Sequence, residues 1–111
     1  MVLPVRPPAV AGLFYPADRR VLADAVDAYL DAGAPLDAAR PDGTQAWPKA
    51  LVVPHAGYVY SGAVAGLGFA TLAPGRGRIT RVVLLGPCHR VPVRGLALPG
   101  CEEIGRASCR E

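Results

Sequence analysis

Lysine is almost absent from this chain: eleven of its twelve basic residues are arginine, Lys49 being the exception. The formal net charge is only +3, and no Lys or Arg cluster carries interleaved aromatics, so the electrostatic footprint of a nucleic-acid binder is missing. No apolar run approaches the ~18 residues that a membrane span needs. The opening MVLPVRPPAV also lacks a charged stretch leading into an apolar one, so no secretory leader is read there. No nucleic-acid or membrane partner is expected, and a soluble cytoplasmic protein is the default. Cysteine is sparse, at positions 88, 101 and 109, with neither even pairing nor a C-x-x-C spacing. That excludes a readable disulfide framework or zinc knuckle and fits reducing surroundings. Histidine is rarer still, at positions 55 and 89.

What is present is apolar: 51% hydrophobic against 19% charged residues is the composition of a buried interior, not of a disordered segment. The 13 Gly and 12 Pro are spread through turns and termini as punctuation, without a repeat. The last nine residues, Glu103 to Glu111, read EIGRASCRE and break this character, with no helical or strand period. Back-translated, they match read-through of a common sequencing adapter. The expected organisation is a partial domain over 1–102 and a non-native tail over 103–111, with no role for Cys109.

Along the chain, Ala11-Gly12-Leu13-Phe14-Tyr15-Pro16 closes a Pro-rich extended start, with Gly12 at a turn and the two aromatics as anchors. Val21, Leu22, Ala25, Val26, Tyr29 and Leu30 then recur at helical spacing, which predicts an amphipathic helix capped by Asp18 and stopped at Gly33. After a polar loop, Ala50-Leu51-Val52-Val53-Pro54 is a short apolar run of the kind found in strands covered on both faces. Ser61 is read as the cap of an almost wholly apolar helix through about Leu72. A basic loop with Arg76, Arg78 and Arg81, read as solvated, leads to a second β-branched run, Ile79 to Leu85. Strand, helix, strand predicts a right-handed βαβ unit with parallel strands in an α/β fold, plus the additional amphipathic helix.

That topology bears on chemistry, because ligands of open α/β sheets sit beyond the carboxyl ends of the strands. Both histidines fall there, in Pro54-His55-Ala56-Gly57 and Gly86-Pro87-Cys88-His89. Either alone reads most simply as a turn residue bonded to backbone. As a pair at equivalent positions they suggest a metal site, since two imidazoles with one carboxylate or thiolate hold iron, zinc or copper. Gly57 and the following helix start offer N–H groups to an anionic oxygen, or serve only the turn. Tyr58 and Tyr60 either line a substrate pocket or pack. Cys88 and Cys101 read as buried or incidental thiols before ligands.

Three blocks in order over residues 6 to about 100 resemble the Memo family: Ala11 to Pro16, Pro54-His55-Ala56-Gly57-Tyr58-Val59-Tyr60-Ser61-Gly62, and Leu85-Gly86-Pro87-Cys88-His89 with Val91-Pro92. Bacterial and archaeal members are commonly labelled AmmeMemoRadiSam system protein B, and the family resembles class III extradiol dioxygenases. The resemblance implies the amino-terminal part of a Memo or extradiol-dioxygenase-like fold. It implies His55 and His89 as the first two metal ligands, with the third, a cysteine, far downstream. Iron(II) is the expected metal, with copper or zinc as alternatives, and a small aromatic molecule is the expected substrate. The corresponding function is dioxygenase-type oxidoreductase chemistry in a longer protein. The alternative is a non-catalytic metal-binding or redox-linked interaction protein, because extradiol chemistry usually also needs a protein base and no third histidine is available.

Overall fold

The computed structural model describes residues 3–33, 46–98 and 101–104. In chain order they form strand β1 (Leu3–Arg6), helix α1 (Arg19–Gly33), helix α2 (Tyr58–Ala70), a 3-10 turn (Ala73–Gly75) and strand β2 (Cys101–Ile104). β1 and β2 pair in parallel, with Leu3 opposite Cys101, Val5 opposite Glu103 and Arg6 opposite Ile104. β2 thus includes Glu103 and Ile104, the first two residues of the segment set apart on sequence, while 105–111 lie outside the described residues.

α1 begins where expected. The Asp18 carboxylate accepts the N–H groups of Arg20 (2.9 Å) and Val21 (3.0 Å), which have no carbonyl partner within the helix. The apolar stripe turns inward: Leu22, 3% exposed, is the one buried large apolar side chain among the described residues. Ala25, Val26, Tyr29 and Leu30 are half-buried, whereas Val21 at the edge of the stripe is 54% exposed.

α2 starts four residues earlier than its sequence suggests. Gly57, with φ −56° and ψ 152°, is its N-cap, and Ser61, read as the cap, lies inside the first turn. The helix packs on α1 through a flat seam of glycines. A Cβ built at Gly62 would lie 2.6 Å from the Tyr29 ring, one at Gly66 2.5 Å from the Tyr29 carbonyl oxygen, and one at Gly33 2.7 Å from the Ala70 Cβ. Tyr29 therefore meets the first half of α2 and Gly33 its end, so the two helices run parallel, side by side.

Parallel neighbouring helices need a connection that travels back along them, and residues 51–56 provide its last part. A Cβ at Gly68 would meet Val53 (2.8 Å) and Leu51 (3.2 Å), while Ser61, nearer the start of α2, reaches Ala56. The segment thus runs antiparallel to α2, with Leu51 and Val53 turned toward the helix and Val52 96% exposed. Among the described residues neither 50–54 nor 79–85 joins a hydrogen-bonded ladder, and Val82 to Leu85 are 74–86% exposed. Both runs have the composition of strands covered on both faces, but only one face of the first is covered, by α2. Past α2, the Arg78 guanidinium lies 5.5 Å from the centre of the Trp47 ring, so this arginine, expected to be merely solvated, also stacks on an aromatic.

Candidate metal centre

The turns that follow the two apolar runs bring the chain's two histidines together. His55 Nε2 and His89 Nε2 are 3.2 Å apart, and the rings, with centroids 5.3 Å apart, are inclined by 31°. Both are exposed, so the nitrogens meet at a surface open to small solutes. Two neutral imidazoles at this distance share one N–H···N hydrogen bond if one donates and the other accepts. Among the described residues no third His, Cys, Asp or Glu joins them in a group able to hold a metal ion. Cys88, adjacent to His89 in sequence, is an exposed free thiol. Cys101 lies in β2, and Cys109 lies outside the described residues.

The His55 turn is held from two directions. On one side the Tyr58 N–H donates to the Phe14 carbonyl (2.7 Å), so this N–H serves the loop contact instead of facing an anion. Phe14 belongs to a tight loop in which Gly12, at φ +80°, donates its N–H to the Tyr15 carbonyl (2.7 Å). The positive φ explains the glycine at that position. On the other side the buried Ser61 hydroxyl donates to the Ala56 carbonyl (2.7 Å). Gly57 itself has an ordinary negative φ, and an added Cβ would make only normal contact, 3.5 Å from the Phe14 oxygen.

The expected pocket residues divide. The Tyr58 ring packs among aromatics, 5.9 Å from Tyr15 and 6.0 Å from Tyr29, the latter edge-on. With His55, Phe14 and Tyr15 it lines a cavity of about 1150 Å³ that continues along α1 and α2 as far as Ile79. Tyr60 is 85% exposed and lies outside that lining, as does His89. Sequence reasoning missed Ser61 as a side chain reaching back to the His55 turn, and Phe14 as a backbone acceptor. The one available signal for Ser61 was a hydroxyl in an otherwise apolar helix.

The family described as Memo-like protein matches residues 6–104, and so includes the Phe14 loop, His55 and His89. The chain belongs to the Memo family. A MEMO1 family protein of Methanococcus maripaludis strain S2 is 38% identical over 94 residues, covering 83% of this chain and 33% of the relative. One from Thermotoga sp. strain RQ2 is 45% identical over 87 residues, covering 76% of this chain and 31% of that protein. A third, from Methanococcus maripaludis strain C5, is 36% identical over 85 residues, covering 76% and 30%. The chain therefore spans about a third of the length of the curated Memo relatives it matches. No solved structure gives a significant match. No helix among the described residues is long and apolar enough to cross a membrane.

Proposed function

We propose that His55 and His89 are two protein ligands of a metal centre in this Memo-family protein, with iron(II) as the metal and zinc or copper as alternatives. The observation that carries this is the 3.2 Å separation of the two Nε2 atoms. With metal–nitrogen bonds of about 2.1 Å, that separation subtends roughly 100° at a shared ion, between octahedral and tetrahedral values. The donor set therefore fits two positions of a three-ligand site, the third supplied from outside the described residues. Behind the site, we propose that 50–54 and 79–85 are neighbouring parallel strands of an α/β sheet of the extradiol-dioxygenase type. The inward turn of Leu51 and Val53 and the meeting of the histidines beyond both runs support this.

Bound iron(II) would supply open coordination positions for a catecholate and dioxygen. This chain's own residues would hold the ion and shape one wall of the site: His55 and His89 as ligands, Tyr58 and the Phe14 loop against a small aromatic substrate. A second reading, binding without ring cleavage, is favoured by one fact. Both of the chain's histidines are engaged in the pair, so no imidazole of this chain serves as general base. We take metal binding as the function and dioxygenase-type chemistry, under the label AmmeMemoRadiSam system protein B, as its finer form in the cytoplasm.

Anaerobic titration of the whole gene product with iron(II), zinc(II) and copper(II), followed by elemental analysis, tests the reading. One ion per chain is expected. His55→Ala and His89→Ala should each bring the stoichiometry close to zero with unchanged circular dichroism, because both ligands lie outside the packed core. Full metal content in either variant would sink the shared-site reading. Turnover of a catechol by the iron form would then separate the enzyme from the binding protein.

A further inference from the structure

We infer that Ser61 is a positioning residue for the His55 ligand, an inference that rests on the metal reading above. Ser61 is 5% exposed, a buried hydroxyl in a helix whose neighbouring side chains are apolar or glycine. A buried helical serine ordinarily bonds back to the carbonyl four residues earlier, and Ser61 does approach the Gly57 oxygen, at 3.3 Å. Its shorter bond, 2.7 Å, goes instead to the Ala56 carbonyl, five residues back and outside the helix. A hydroxyl has one proton to donate, so the shorter contact takes it.

That choice has a geometric effect. The Ala56 carbonyl belongs to the peptide unit joining Ala56 to Gly57, one residue beyond His55. Ser61 Oγ fixes this unit from the helix side, while the Phe14 carbonyl fixes the following unit through the Tyr58 N–H from the loop side. The backbone leaving His55 is thus tied at both edges, which limits how far the imidazole can swing from His89. Groups behind a metal ligand that set its orientation typically alter metal affinity by about 10- to 100-fold when removed. Ser61 acts one step further back, through backbone, so the lower end applies.

Cobalt(II), whose visible absorption reports coordination, is the probe. It is titrated into the whole gene product as wild type, Ser61→Ala, Ser61→Thr and His55→Ala, with thermal unfolding measured alongside. The expected result is that Ser61→Ala binds cobalt about tenfold more weakly at a temperature where it is fully folded. Ser61→Thr, which restores the hydroxyl, should recover most of the affinity, and His55→Ala should abolish binding. If Ser61→Ala does not fold, Ser61→Cys, close in volume but only a weak donor, carries the same comparison. Unchanged affinity and spectrum in the variant lacking the hydroxyl, even with a lowered melting temperature, would make Ser61 purely structural and overturn this inference alone. Absence of cobalt uptake by the wild type would overturn the metal reading and this one together.

Discussion

Gly62 and Gly66 stand one turn apart on α2 and both face Tyr29, but an added methyl would strike different things. At Gly62 it meets the far end of the tyrosine ring, at 2.6 Å, which can swing aside; at Gly66 it meets the Tyr29 carbonyl oxygen at 2.5 Å, which moves only with helix α1. Overpacking costs typically about 1–3 kcal/mol. We expect Gly66→Ala toward or beyond the upper end and Gly62→Ala toward the lower, with Tyr29→Ala relieving the second strain and not the first. Urea unfolding of the single and double variants checks this, and equal losses at both glycines would contradict it. Asp18→Ala, which removes the acceptor for two N–H groups at the start of α1, should lower stability by about 1 kcal/mol in the same assay. At the residue scale Gly12 and the Asp18 cap were legible because each is a local chemical choice, and the two histidines stood out by their rarity and their places after the two apolar runs. The role of Ser61 was not, since a hydroxyl's partner depends on where the preceding turn has folded.

Helix α1 could be read almost to the residue, because a polar face, an inward stripe and a glycine stop all agree. The start of α2 was misplaced for a physical reason. Its sequence offers a serine where a cap is expected, but the helix already begins at Gly57, and the Tyr58 N–H is satisfied by a loop more than forty residues earlier. The two β-branched runs show the other limit: composition identifies a strand-like segment, while its ladder depends on neighbours elsewhere in sequence. The outward face of α2 follows from the same apolar pattern. Val59 is 91% exposed and Val64 57% exposed, so neither contributes to the α1 seam. Val59→Lys should therefore change unfolding free energy by less than about 0.5 kcal/mol, while reducing binding of a hydrophobic dye and self-association. A loss of several kcal/mol would show that this face is packed in the folded protein.

Across the whole molecule, every residue from 76 to 98 is exposed, so the contact between His89 and His55 links this stretch to the rest of the chain. A shared ion would tighten that link, adding about 2.7 kcal/mol to stability at a hundredfold excess over its dissociation constant. The effect should be local as well as global. Tryptic cleavage after Arg90, beside His89, should slow on addition of zinc, whereas cleavage after Arg76 should slow much less, and His89→Ala should erase the difference. Uniform slowing at both sites would argue against a clamp between the two turns.

The bond from the Tyr58 N–H to the Phe14 carbonyl has a consequence in the time domain. Amides in the first turn of a helix ordinarily trade their hydrogen for solvent deuterium quickly, because no carbonyl of the same helix protects them. This one is held by a loop near the start of the chain, so it exchanges only when that loop lifts away from α2. Its exchange rate, measured residue by residue, therefore reports the opening of the Phe14 loop rather than fraying of the helix. Replacing Gly12 by alanine, which strains the loop at its positive φ, should accelerate exchange at Tyr58 while leaving the amides in the middle of α2 at their original rates.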